Sequence, residues 1–457
     1  MVRQLTARPR TWTAALAILV AGGAIVWHIL ACTESPMAFS PDGKQLAFVT
    51  MEPYGGDEPQ IADQHVFRLM VLGEDQKLRT LETTSKQMLS APAYSPDGKH
   101  LCYVRIRQMT EAGWKQFKKA LDERPQTLAP PDSKAWAEPA TTQPGTAVSQ
   151  AASSPATTGP AEGTKDLSLP SYTTIQETVA NLMSFGFVPA DLVVRDAKTD
   201  RIISTTSIGL TALGKDGPTG YFVTYATLRP QYSPDGKWIY LCAGNVVSGI
   251  NPATGEQRIV SVVAPIAALS PDGETLAILA EQSIGFAQTD GSSALYKRWD
   301  KGISYSGLTW LDRRTVAVLE PAKTDQDPVR VHLLGQDGSI KRSITLDLKE
   351  PQAGKDQDAG ELAIAPNGKN IVIAYEHDTY FLDAEGKLLA HWHHENDGMV
   401  QPTFSPDSSR VACKYMTEKG TPAYPRAAAI VFFTPDGKEQ SRVSIPPADP
   451  PTTQPSQ

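Results

Sequence analysis

Short apolar runs bounded by polar turn residues recur from Met37 to Ile445. They include "LAFV" (Leu46–Val49), "LCYV" (Leu101–Val104), "IYLC" (Ile239–Cys242), "LAIL" (Leu276–Leu279), "VAVL" (Val316–Leu319), "IVIA" (Ile371–Ala374) and "VACK" (Val411–Lys414). Runs of this length, rich in β-branched, aromatic and small residues, fit strands buried on both faces. A shorter apolar stretch precedes most of them: "MAF", "PAY", "PQY", "AAL" or "PTF". Two further strands follow in most units, joined by a polar turn closing in Gly, as in Ile250–Val262, His332–Leu346 and Phe381–Trp392. Each unit therefore predicts four antiparallel strands.

A tight turn separates the first two strands. Ser-Pro-Asp opens it at Ser40, Ser95, Ser233, Ser270 and Ser405, and degenerate copies start at Ile364 and Thr309. Pro presets φ, Asp bonds the backbone, and Gly accepts the positive φ of the turn exit. Ser233 and Ser270 lie 37 residues apart, and Ala365 and Ser405 lie 40 apart. Periods near 40 with several short strands mark a β-propeller. Seven units open near Met37, Ala93, Gln231, Ala267, Leu308, Leu362 and Thr403. The prediction is an all-β, seven-bladed β-propeller of four-stranded antiparallel blades over 36–446. The extra segment Ile208–Thr227 leaves an eighth, decayed blade open. A serine and carboxylate copied around a ring make a poor catalyst, because one active site needs one set. Ser95 and Asp97 are expected to bond the turn.

"SPDGK" followed by an apolar strand resembles the TolB-like, WD-related β-propeller repeat family. Such repeats occur in periplasmic TolB and in the propellers of prolyl-oligopeptidase-type peptidases. The resemblance covers most of 36–446 and implies the fold. It implies no single activity, since propellers act as scaffolds, receptors, lids and enzymes. TolB carries a domain before its propeller. Here the first strand is expected directly after Cys32, so the resemblance does not extend to TolB's own role.

The first 31 residues differ from the rest. Arg3, Arg8 and Arg10 precede Thr11–Ala31, which contains no Asp, Glu, Lys or Arg. A basic start and an apolar run of about 20 residues read as a signal peptide or membrane anchor. The run ends in "ILAC", which resembles a bacterial lipobox with Cys32 as the lipidated residue. A lipid anchor and an uncleaved transmembrane helix both remain open. Both place the body outside the cytoplasm, in a bacterial cell envelope, and on a membrane. A net charge of −7 argues against nucleic acid as a partner. Cys102, Cys242 and Cys413 each fall in a strand of a separate unit. They are expected to be buried small residues rather than a disulfide or metal framework.

The repeat breaks at 107–187. Thr110–Arg124 and Thr173–Phe187 are helix-like, and Leu128–Lys165 is a Pro/Ala/Thr/Ser-rich stretch expected to be disordered. A further disordered tail is expected over 447–457. In a propeller this insertion joins the second and third strands of blade two. The segments Met51–Gln64, Glu320–Pro328 and Thr417–Arg426 are expected as long loops on the same face. Such loops on a rigid scaffold are where binding concentrates.

Candidate chemistry is sparse. "HWHHENDG" (His391–Gly398), with His377 from the same blade, gathers His377, His391, His393, His394, Glu395 and Asp397. Imidazoles with carboxylates suit a divalent metal. Gly398 stands where an HExxH helix needs its second His, so the zincin mechanism is excluded. Asp57, Glu58, Asp325 and Asp327 add to an acidic rim. No GxSxG, Walker A or GxGxxG occurs, and "GISYSG" (Gly302–Gly307) has the wrong spacing. The resulting expectation is a membrane-tethered extracytoplasmic binding scaffold with no required cofactor. Its partner would be a protein or an envelope polymer on the loop-rich face. The alternative is a metal-dependent propeller lyase or hydrolase acting on polysaccharide.

Overall fold

The computed structural model describes residues 37–53, 65–85, 87–107, 187–211, 228–243, 246–261, 266–280, 283–298, 306–322, 327–346, 348, 361–375, 377–393, 397–421 and 424–448. Contacts divide the chain into one unit of Met1–Gln108 with Leu169–Gln457 and another of Met109–Ser168. The described residues all belong to the first. Among them no helix is long and apolar enough to cross a membrane. Thr11–Ala31, Cys32, both helix-like stretches and most of the insertion lie outside the described residues.

The first unit is a seven-bladed propeller. Among the described residues seven antiparallel sheets follow one another along the chain, each with its strands in sequential order. They start at Ala38–Phe39, Gln87–Leu89, Gln231–Tyr232, Ile266–Leu269, Ser306–Asp312, Glu361–Ile364 and Asp397–Phe404, and are called blades I to VII. Blade II has five strands because its inner strand is split. Gln87–Leu89 and Ala93–Tyr94 both pair with His100–Arg107. Pro92, which has no N–H to give the ladder, lies in the break. There Ser90 Oγ accepts from the Val104 amide at 2.8 Å. Arg107 ends the second strand of blade II and Phe187 opens the third, so the inserted stretch joins those two. Ile208–Thr211 continue the blade's outer strand, Ile202–Thr211.

The second strands are the core. Leu46, Ala47, Phe48 and Val49 are buried, as are Leu276 to Leu279 and Val316 to Leu319. Alternate residues face opposite neighbours. Ala317 and Leu319 pack toward blade VI with Ile371 and Ile373, while Val316 and Val318 pack toward blade IV with Ala277 and Leu279. A strand sandwiched this way needs apolar residues at every position, which explains the unbroken runs. Cys102, Cys242 and Cys413 are buried in these strands as thiols, none of them in a disulfide. Burial pushes the Cys102 and Cys242 thiols up to about 12 and raises that of Cys413 as well. They are packing residues.

The Ser-Pro-Asp-Gly turn has a repeated geometry. Ser95 Oγ donates to Asp97 Oδ1 at 2.7 Å and accepts from the His100 amide at 2.9 Å. The Lys99 amide donates to the same Asp97 oxygen at 3.1 Å. Hydrogen bonds from Ser95 and Lys99 hold the Asp97 carboxyl down to about 2. Ser40, Ser233, Ser270 and Ser405 donate to Asp42, Asp235, Asp272 and Asp407 at 2.6 Å each. Each carboxylate is thus a turn acceptor. The turns also touch one another around the ring. A Cβ on Gly98, where φ is +69°, would lie 3.5 Å from Pro41 of the preceding turn, and one on Gly273 would lie 2.2 Å from Pro234. Pro96 faces Gly236 and Pro406 faces Gly43 in the same manner.

Among the described residues no strand is exchanged between blades I and VII, and their seam closes through side chains. Met37, Phe48 and Met70 pack on Met416, Ile430 and Phe432. Arg410 donates to the Gly43 carbonyl and stands 5.5 Å from the ring centres of both Phe39 and Phe432. Buried Lys414 donates to the Val49 carbonyl at 2.9 Å. Arg68 pairs with buried Glu52 and donates to the Pro446 carbonyl at 2.6 Å. Glu52 Oε2 also accepts from the Ala448 amide at 2.7 Å and lies 3.5 Å from Arg426. The chain after the last strand, Glu439–Ser444, therefore stays on blade I as far as Ala448.

Blades I and II share a second polar junction. Glu82 accepts from Arg105 at 2.7 Å, from Arg195 at 2.7 Å and from the Tyr103 hydroxyl. Arg195 donates to that hydroxyl at 2.9 Å. Burial alone would raise the Glu82 carboxyl. The hydrogen bonds from Arg105, Tyr103 and Arg195 outweigh it and hold the group below its usual value.

Two outcomes follow from these junctions. Arg68→Ala leaves buried Glu52 with only the longer contact to Arg426 and is expected to cost about 3 kcal/mol in chemical denaturation. Lys77→Ala, which removes an exposed pair with Asp75, should leave the midpoint unchanged. Equal midpoints for the two variants would refute the bracing role. The depressed Glu82 value means a stabilisation present above pH 4.5 and lost as pH falls through the folded-state value. Glu82→Gln should flatten that part of the acid limb of a melting-temperature profile and lower stability at neutral pH. An acid limb identical to wild type would refute the assignment.

Candidate functional site

Two faces of the propeller differ. The face where first and second strands join carries the short Ser-Pro-Asp turns. The opposite face carries the connections between second and third strands, and there the blades are unequal. In blades III to VI these strands have five or six residues, as in Ile239–Ala243 and Val246–Ile250 or Thr315–Glu320 and Arg330–Gly335. In blade VII they are Val411–Thr421 and Tyr424–Phe433, with 11 and 10 residues. In blade I they are Leu46–Pro53 and His65–Leu72, with eight each. In blade II they have eight and 10 residues. Most of the expected loop Thr417–Arg426 is thus extended strand. Each extra residue adds about 3.3 Å. Blades VII, I and II are consecutive around the ring, so their longer hairpins form one raised wall. Glu52, Arg68 and Arg426 brace it from within.

Beside this wall the inner strands begin, around the axis of the ring. Each inner strand has a residue paired with the start of the second-strand apolar run: Tyr94, Tyr232, Leu269, Trp310, Ile364 and Phe404 in blades II to VII. Three residues earlier stand Ala91, Arg229, Ile266, Gly307, Glu361 and Gln401. Unlike the turn, this level does not repeat. Leu228 and Pro230 are buried, but Arg229 between them is exposed to solvent. Surrounding protein nevertheless holds its pKa below the ordinary guanidinium value, against the opposing influence of Glu361. Arg229 precedes the inner strand of blade III and Glu361 opens that of blade VI, two blades that are not neighbours. Arg229 makes no hydrogen bond or salt bridge among the described residues.

Glu361 is tied to blade VII, where the Gln401 amide donates to its Oε2. Gln401 sits at an irregularity between Val400 and Thr403, with φ at +58°. An ordinary side chain rarely holds that conformation. Its side chain is 4% exposed, and neither its Oε1 nor its Nε2 has a hydrogen-bond partner. Leaving such a buried amide unsatisfied is costly, about 1–3 kcal/mol for each group.

The histidines predicted from sequence are partly gathered. His391 Nε2 and His393 Nδ1 both reach Asp378 Oδ1, at 2.7 and 2.9 Å. His391 also stacks on Tyr380 with centroids 4.5 Å apart. The acid that joins them is Asp378, not Glu395 or Asp397. Its signal was present, because Asp378 opens the strand Asp378–Asp383 and pairs with His393 across the ladder. His377 is half-buried beside it. His394 and Glu395 lie outside the described residues, as do Asp57, Glu58 and Asp325. Asp397 opens an inner strand, and its side chain is not described. Among the described residues no group of three or more His, Cys, Asp and Glu is arranged to hold a metal.

A second histidine was missed in the sequence. His332 Nε2 lies 2.7 Å from Glu320 Oε2, and its Nδ1 lies 2.8 Å from Ser343 Oγ. The three residues sit on the second, third and outer strands of blade V, where His332 and Ser343 are directly paired. Both ring nitrogens are engaged, which fixes the tautomer and ties the blade margin together.

No family model matches the chain, and no curated protein matches it. Among solved structures, similarity is found to a chain of the mitotic checkpoint complex, with a TM-score of 0.48 and 9% identity, covering 88% of this chain and 87% of that one. A eukaryotic initiation factor gives 0.39 and 12%, covering 89% and 87%. The Dos1 propeller gives 0.43 and 8%, covering 91% and 84%. At these values the likenesses carry no argument about function. The seven sheets of this chain establish its fold.

Proposed function

We propose that this chain is a protein-interaction scaffold held at the outer side of a bacterial membrane by its N-terminus. Its docking surface is the raised wall of blades VII, I and II beside the channel mouth. The observation that carries this reading is the inequality of the two faces. The turn face is closed by repeated Pro–Gly contacts. The opposite face bears hairpins longer than blade packing requires, confined to three adjacent blades. A rigid sheet edge that rises beyond its own core is suited to present surface to a partner. The TolB-like resemblance of the repeat and the apolar run Thr11–Ala31 support an extracytoplasmic location. A polysaccharide lyase or hydrolase is the weaker reading, since Asp378 already engages one nitrogen each of His391 and His393.

Affinity capture from detergent-solubilised membranes tests the docking surface. The intact chain should retain a partner that is lost when 417–426 is replaced by a two-residue turn. Identical recovery with both chains would overturn the assignment. Fractionation tests the tether. The full chain should sediment with membranes and be cleaved by protease added to spheroplasts, and removing residues 1–31 should release it. Release by Cys32→Ser would identify the lipid anchor, and retention the helix. A full chain found only in the cytoplasm would overturn the location.

A further inference from the structure

We infer that blade V carries a serine nucleophile, Ser343, with His332 as its general base and Glu320 as the residue that positions that base. The inference is independent of the docking surface. Glu320, His332 and Ser343 stand on the second, third and outer strands and share the blade face of Val316 and Val318, which packs toward blade IV. A carboxylate only accepts hydrogen bonds. Glu320 Oε2, 2.7 Å from His332 Nε2, therefore places the ring proton on that nitrogen. Nδ1 keeps its lone pair 2.8 Å from Ser343 Oγ, so the serine hydroxyl donates to it. Glu320 and His332 are 9% and 6% exposed, whereas Ser343 is exposed on the outer strand Ile340–Thr345. A buried acid and base behind an accessible hydroxyl is the arrangement that activates a serine. Unlike the turn serines, this set is not copied around the ring. Opposite the third residue of the apolar run, where blade V has His332, blades IV and VI have Gly285 and Tyr380.

The strand edge adds a donor for the charge that such an attack creates. The Leu346 amide donates to the Val329 carbonyl. Hydrogen-bonded pairs alternate along an antiparallel ladder, so Val331 with Ile344 is the next bonded pair, and His332 with Ser343 is not one. The Ser343 N–H therefore points away from the third strand, toward the edge where, among the described residues, the sheet ends. Exposed Lys341, Arg342 and Thr345 lie beside Ser343 on its strand. This polar margin suits a short acyl group, so the substrate class is a short-chain carboxylic ester. Ser343 Oγ bonds the carbonyl carbon as its proton moves to His332 Nδ1. The carbonyl electron pair moves to oxygen, where the Ser343 N–H can receive it. The bond from carbon to the alcohol oxygen then breaks, and the alcohol leaves with that proton. Water repeats the sequence on the acyl-serine and releases the acid.

The test uses the full chain in detergent, a fluorophosphonate and p-nitrophenyl acetate. The fluorophosphonate should add once, with loss of fluoride, and the adduct should map to Ser343. Ser339, which donates to Asp337 and has no imidazole in that bond, should stay unmodified. Trypsin cuts after Lys341 and Arg342 and so separates the two serines. Ser343→Ala should remove the adduct and lower p-nitrophenol release, and the chain should still melt cooperatively because the side chain is exposed. His332→Gln should slow labelling about a hundredfold or more, the scale of a lost general base. His332 is buried, so Glu320→Gln, which keeps size and shape, is the second variant, and it should slow labelling in a chain that circular dichroism shows to be folded. No adduct on the folded wild-type chain, an adduct on Ser339 formed as fast as on Ser343, or Ser343 labelling unchanged in folded Glu320→Gln would each overturn the inference.

Discussion

The structure depends on closing a ring whose first and last blades, among the described residues, share no strand. A closed sheet removes its edges by hydrogen bonding, and a propeller leaves each blade's edge outside and must join faces instead. Here the join is made at three heights. The Pro406–Gly43 contact continues the turn ring. The cluster around Phe48, Ile430 and Phe432 buries the middle. Glu52, Arg68 and Arg426 clamp the top, where the Pro446 carbonyl accepts from Arg68 and the Ala448 amide donates to Glu52. A buried ion pair is rarely the cheapest way to join two surfaces. Its charges need specific partners, however, and so it defines register where no strand ladder does.

The same clamp links architecture to the face proposed for docking. Its residues lie in the long hairpins of blades I and VII, above the level that the shorter blades reach. Ordered hairpins that extend past a blade's core lose packing and need another source of order. The clamp supplies it, and the wall that results stands beside the channel. On the other face the demands are opposite. Five Ser–Asp turns hold their own backbones, and each glycine accepts a proline from its neighbour because no Cβ intervenes. That face is specified by packing and has little freedom to vary. The level of Ala91, Arg229, Ile266, Gly307, Glu361 and Gln401 has no repeated contact of that kind, and its residues range from buried to exposed.

The histidine cluster shows how far residue type can mislead. "HWHHENDG" gathers metal-ligating residues in a row, yet two of its histidines turn to an aspartate on the adjacent strand. Cross-strand register brings His393 to Asp378, and register is a property of pairing rather than of proximity along the chain. His332 with Glu320 and Ser343 shows the reverse. Nothing in its local sequence marks it, since its partners lie 12 and 11 residues away on separate strands.

Local sequence by itself determined the propeller repeat with seven clear units, the strand order within blades, the four tight turns of full Ser-Pro-Asp-Gly form and the burial of Cys102, Cys242 and Cys413, whereas the choice of seven blades over eight came from the sheets. These are short-range matters, decided by turn chemistry and by apolar runs that any neighbour would bury. Only the tertiary structure decided which blades stand tall, how blade I meets blade VII and which polar residues share the channel. Arg229, Glu361 and Gln401 are far apart in the chain and carry no common motif. Glu361 and Gln401 meet because the ring sets blade VI beside blade VII, and all three stand at a level where the repeat does not copy itself.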